Sequence, residues 1–132
     1  MEISRIRPPG LVYSPAFSHV AVVPPGATTI YIGGQNAVSA EGALVGGNDV
    51  GAQSARALEN VGTALAAVGA SFSDVVLWTV LLVDGVSVAE AYGPIASELA
   101  SDEPGLVTAA VVVGLGVPGA LVEISAIAAV FR

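Results

Sequence analysis

The sequence predicts an α+β fold, one sheet resting on two helices, with elements in the order ββαβαββ. Three observations predict it. Short β-branched and apolar runs are bounded by glycine and proline clusters. Two longer segments carry the spacing or the start signal of a helix instead. Runs and segments alternate without an internal repeat or a composition break, so residues 1–132 read as one domain.

Met1 to Ser14 reads as an irregular lead-in, with Pro8-Pro9-Gly10 as a turn. Ser18 to Val23 and Thr28 to Ile32 are strand-like and are separated by Pro24-Pro25-Gly26-Ala27, which predicts an antiparallel hairpin. Gly33-Gly34-Gln35 ends the second strand, and a polar, glycine-rich loop runs on to Asn48. Asp49 is placed to cap a first helix, in which Leu58, Val61, Leu65 and Val68 form one apolar stripe and Gly69 supplies the stop. Asp74 to Val83 is a strand with apolar residues in both alternating sets. Ser87 with Glu90 resembles a capping box opening a second helix. Pro94 would interrupt that helix at a cost of about 3 kcal/mol, so a kink at Tyr92-Gly93 or a restart at Pro94 is expected. Val107 to Val113 and Leu121 to Phe131 are the closing strands.

Two helices cover one face of such a sheet. Yet Val75, Val76, Leu77, Trp78, Val80 and Leu81 put apolar groups on both faces. Charged residues make up only 11% of the chain, about half the share of an ordinary soluble domain. Both facts predict that copies of the chain cover the second face. A membrane is the other way to hide apolar surface. The uncharged stretches Leu11 to Ala40 and Gly105 to Val122 are cut by glycine and proline into strand-length pieces, and no signal-peptide pattern opens the chain. A soluble, cytoplasmic protein with no membrane partner is expected.

The absences narrow the chemistry further. No cysteine and no lysine means no thiolate nucleophile, no Schiff base and no P-loop lysine. All four basic residues are arginines: Arg5, Arg7, Arg56 and Arg132. The single histidine, His19, cannot build a histidine-rich metal site, and reads more simply as a satisfied strand residue. Asp49 is better explained as a cap than as a metal ligand, and the remaining acidic residues show no ligand spacing, so neither metal nor cofactor is expected. A net charge of −7 opposes binding to nucleic acid, and with it a ribonuclease role.

Several segments resemble one family. Tyr13-Ser14-Pro15, Phe17-Ser18-His19 and Ile30-Tyr31-Ile32-Gly33-Gly34-Gln35 are similar to the amino-terminal region of Rid/YjgF proteins. The similarity continues through Asp49, Gln53 and Leu58-Glu59-Asn60, then Gly69-Ala70-Ser71 with Asp74-Val75-Val76. It closes on Gly114-Leu115, Pro118 and Leu121-Val122-Glu123-Ile124 with Ala126. The resemblance implies a chorismate-mutase-like subunit, a homotrimer with a central barrel, and small-molecule clefts between subunits. It also implies a deaminating activity in which an arginine on the next-to-last strand holds the substrate carboxylate.

At that position this chain has Val107. A guanidinium grips a carboxylate through two charge-assisted hydrogen bonds of about 1.5–3 kcal/mol each, and valine offers neither. Ala109, Gly33 and, roughly, Ala89 stand where the family carries cysteine, serine and asparagine, while Phe17 loosely matches its aromatic residue. The combination resembles the arginine-lacking branch, so ordinary 2-imino-acid deamination is not expected. Arg7 could instead fold over a neighbour's cleft and replace the missing group.

Glu123 is retained, and it interrupts an otherwise apolar strand. Partial desolvation there would suit it to general acid/base work on water, which is also the role the resemblance implies. The competing reading is a structural ion pair or amide contact at a subunit interface. The substrate-binding expectation covers Tyr13, Phe17, Gly33, Gly34, Trp78 and Val107. For Trp78 a core position competes with a cleft wall; for Gly33-Gly34 a plain strand-end bulge competes with close approach of a ligand. Two functions follow: hydrolysis of an imine or enamine that needs no carboxylate clamp, or a non-catalytic trimer that binds a metabolite.

Overall fold

The computed structural model describes residues 2–132; Met1, at the head of the expected lead-in, lies outside them. The strands are β1 (Ser4–Ile6), β2 (Val20–Val22), β3 (Thr28–Gln35), β4 (Val75–Val83), β5 (Leu106–Val112) and β6 (Val122–Val130). The helices are α1 (Val50–Ala67) and α2 (Val88–Leu99), and a short 3₁₀ turn spans Phe72–Asp74. The main sheet has the order β3-β6-β4-β5, with β4 and β5 parallel and the other pairs antiparallel. A parallel pair needs a long crossover, and α2 supplies it. The α+β class and the presence of all seven expected elements are as the sequence predicts.

The amino-terminal hairpin is not. β2 pairs with β1 in a separate two-stranded ribbon, and β3 pairs with β6. Tight hairpins need positive φ at the turn's central residues, whereas Pro24 and Pro25 lock φ near about −65°. The connection therefore leads β3 away from β2 and into the main sheet. The lead-in is also less irregular than expected, since Ser4–Ile6 is a strand; Pro8-Pro9-Gly10 does turn, with Gly10 at φ 93°.

Both helix starts are side-chain capped. The Asp49 carboxylate accepts from the Ala52 amide at 3.0 Å, and the Ser87 hydroxyl accepts from the Glu90 amide at 3.2 Å. Gly69, at φ 73°, ends α1 as expected. α2 continues through Pro94 and does not restart there. Ala91, Ile95 and Leu99 lie one turn apart and are all buried, and their packing offsets the hydrogen bond that Pro94 cannot make.

The core lies between the helices and one face of the sheet. Val122, Ile124, Ala126 and Ala128 of β6 point into it, with Trp78, Val80 and Leu82 of β4 and Val61 and Leu65 of α1. The opposite face carries Leu77, Thr79, Leu81 and Val83 of β4 beside Glu123, Ser125 and Ile127 of β6, all half-buried. Tyr31, paired with Ile127, is 76% exposed there. This open face has the apolar character expected of a surface that awaits a partner. Among the described residues no helix is long and apolar enough to cross a membrane.

Candidate functional site

A β-bulge sets the geometry around Glu123. In the β3–β6 ladder Ile32 pairs with Ala126 and Gln35 with Ile124, so Gly33 and Gly34 together oppose Ser125. A bulge leaves its extra residue out of the ladder and bends the strand. The Gln35 amide donates to the Gly33 carbonyl at 3.2 Å and steadies the bent segment. Glu123 lies over the bulge. A β-carbon added at Gly34 would sit 2.6 Å from Glu123 Cδ and 2.7 Å from Oε2, so only glycine admits the carboxylate at this place.

The backbone just before Glu123 is tied down twice. Asn36 Nδ2 donates to the Val122 carbonyl at 2.9 Å, and the Leu121 amide donates to Gln53 Oε1 at 2.9 Å. Asn60 Nδ2 in turn donates to the carbonyls of Asn36 and Val38, fastening the loop after β3 to α1. The carboxylate itself is half-buried, and among the described residues none of these side-chain hydrogen bonds reaches it. Leu81 of β4 is its cross-strand neighbour, and Ala110 of β5 lies beyond at the same level. Ser125, two residues along β6 on the same face, is a polar neighbour the sequence reading did not single out. Its period-two spacing from Glu123 was the available signal.

The other expected residues gather elsewhere. Val107 is in register with Trp78, which faces the helices and is 1% exposed. Trp78 is therefore mainly a core residue, packed edge-on against Phe72 with ring centroids 5.5 Å apart, and only its rim meets a small cavity beside Glu98 and Gly105. It fills the layer between sheet and helices that a residue of its volume best stabilises. Val107, half-buried, packs against the same core from the edge strand. Phe17 lies close by, since Ser18 bridges to Leu106 at the start of β5. Tyr13 is 71% exposed.

Arg7 does not reach toward Glu123. Its Nε donates to the carbonyls of Ser14 and Phe17, Nη1 donates to that of Asp102 at 3.0 Å, and the guanidinium lies 5.1 Å from the Tyr13 ring centroid. It anchors the lead-in to the loop after α2. His19 is likewise structural: its Nε2–H donates to the Val12 carbonyl at 2.7 Å and its ring meets Phe17 edge-on. Among the described residues no three His, Cys, Asp or Glu side chains are grouped to hold a metal ion.

The candidate residues thus fall into two groups. Gly33, Gly34 and Glu123 form one on the open face; Tyr13, Phe17 and Val107 lie along the β5 edge. Glu123 and Val107 are two strands and three residues apart, on opposite faces, which strand geometry converts to about 14 Å between backbones. The two groups therefore do not meet within one chain.

This arrangement has relatives. The sequence pattern of the family described as Endoribonuclease L-PSP matches residues 12–130. The chain belongs to the Rid/YjgF family. It is 30% identical to YyfB of Yersinia pestis, a Rid-family protein of unknown function, over 98% of this chain and 100% of that one, with a TM-score of 0.86. It is 27% identical to RidA from an Antarctic Psychrobacter, over 90% of this chain and 98% of that one, with a TM-score of 0.69. A member of the YjgF/YER057c/UK114 family from Mycobacterium tuberculosis is 25% identical over 98% and 100% of the two chains, with a TM-score of 0.66. No curated protein matches the chain. These likenesses account for the Rid chain's fold.

Proposed function

We propose that this Rid-family protein hydrolyses a small imine or enamine without a carboxylate, in clefts formed between copies of the chain. The observation that carries the reading is the half-buried Glu123 carboxylate, unbonded among the described residues and lying over the Gly33-Gly34 bulge. In the reaction Glu123 takes a proton from water as the water oxygen bonds to the carbon of the protonated imine, giving a carbinolamine. Glu123 returns that proton to the nitrogen, takes the hydroxyl proton as the C–N bond breaks, and ammonia and a carbonyl compound leave. Backbone amides freed at the bulge are suited to steadying charge that develops there. Val107 in place of an arginine supports a substrate that needs no carboxylate clamp, as expected of an arginine-lacking branch.

The separation of the two groups supports a cleft shared between copies, and the apolar open face supports their association as a trimer. Light scattering should return a mass of three subunits; a monomer at working concentration would remove the shared cleft. RNA is a poorer substrate, because the net charge is −7 and the arginines bond oxygens of the chain itself.

The direct test supplies imines made in situ from a primary amine by an amine oxidase and follows ammonia release. The protein should accelerate it. A stabilising ligand that emerges unchanged, with no acceleration of any imine, would favour the non-catalytic metabolite-binding reading. Gly34→Ala should lower turnover about 100-fold, because the new methyl group displaces the carboxylate by an ångström or more. Undiminished turnover in that variant would show that the position of Glu123 does not matter.

A further inference from the structure

We infer that the Glu123 site selects cationic small molecules, an iminium, ammonium or amidinium head on a short apolar body, and rejects carboxylates. The inference rests on the reading that Glu123 lines a ligand cleft, and adds the charge of the ligand to it. It follows from an accounting of the positive groups. Lysine is absent and there are four arginines. Arg5 donates to the carbonyls of Ser73 and Val75, and Arg132 to that of Val68. Arg7 is spent on the carbonyls of Ser14, Phe17, Ser101 and Asp102. Arg56, on the helix layer, donates to Asn60 Oδ1 at 3.0 Å. The one histidine bonds the Val12 carbonyl. None of these hydrogen bonds goes to a carboxylate.

Glu123 is thus a half-buried negative charge for which the described residues provide no counter-ion. An anionic ligand entering beside it meets like charge and finds no guanidinium to hold it. A cation meets an acceptor of two oxygens that no protein donor occupies. The remaining surroundings fix the rest of the ligand. Leu81 and Ala110 continue from Glu123 across the sheet at the same level, so an apolar body would lie along them while its head bonds the carboxylate. The protonated form of an imine fits this description, and it is also the form that water attacks more readily.

The test uses three probes of one shape: benzamidinium, benzamide and benzoate. Each is titrated into the intact protein, wild type, Glu123→Gln and Glu123→Asp, with affinities read from protein-observed NMR shifts. Wild type should bind benzamidinium at least about ten-fold more tightly than benzamide, the scale of one charge-assisted hydrogen bond, and benzoate most weakly. Glu123→Gln should abolish the ranking and Glu123→Asp should keep it. Equal or tighter binding of benzoate in wild type would overturn the inference, as would a ranking that survives Glu123→Gln or the failure of benzamidinium to bind at all. Imine hydrolysis without a preference for cations would leave the proposed function standing and remove this inference. Cation preference without hydrolysis would do the reverse.

Discussion

Replacing Gln53 by leucine is expected to destabilise the protein by about 3–5 kcal/mol and to lower the melting temperature by roughly 10–20 °C. Gln53 is fully buried on α1. Its Nε2 donates to the carbonyls of Gly47 and Gly119 at 2.6 and 3.1 Å, and its Oε1 accepts from the Leu121 amide at 2.9 Å. One side chain therefore joins the loop before α1 to the loop before β6. Leucine fills a similar volume but leaves two carbonyls and one amide without partners, and each such loss costs about 1–3 kcal/mol. Ser54, the next residue, provides the contrast. Its hydroxyl is buried without a partner, so Ser54→Ala should be neutral or slightly stabilising. Thermal melts of the two variants beside wild type check both statements; a Gln53→Leu protein as stable as wild type would show that these three contacts are dispensable.

Much of the fold is legible in the sequence because local signals and packing agree there. Asp49 and Ser87 cap the helices they were expected to cap, and Gly69 ends α1. The two apolar sets of β4 become one buried and one half-buried face. Legibility fails where partner choice is a tertiary matter. Two strand-like runs separated by four residues resemble a hairpin, but nothing local reveals that β3 is paired by β6, nearly a hundred residues away. The Ser4–Ile6 strand is too short to show a period. Pro94 misleads in the other direction, because its local cost is visible in sequence and the burial of Ala91, Ile95 and Leu99 that offsets it is not.

The site divides in the same way. Glu123 stands out in sequence as a charge among apolar neighbours, and a glycine pair on a strand end invites a bulge. That the two meet, with the carboxylate over Gly34, needs the pairing of β3 with β6. Trp78 shows the limit of alternation on a strand that is apolar on both faces. The period says that Trp78 and Leu77 point opposite ways, but not which of the two faces the helices. The contacts of Arg7 are hidden for the same reason, since two of the backbone carbonyls that capture its guanidinium, Ser101 and Asp102, are remote in sequence.

Glu123→Gln tests the account most directly. The substitution preserves the shape beside Gly34, and the carboxylate it replaces bonds none of the described donors noted around it, so the folded state should lose little. The amide cannot take a proton from water. Removal of a positioned general base costs about 10²–10⁴-fold in rate. The measurement is the rate of ammonia release from one amine-derived imine, generated in situ, by wild type and variant matched for melting temperature and oligomeric mass. Wild type should accelerate the release, and the variant should lose at least about 100-fold. Equal rates from two equally folded proteins would contradict it.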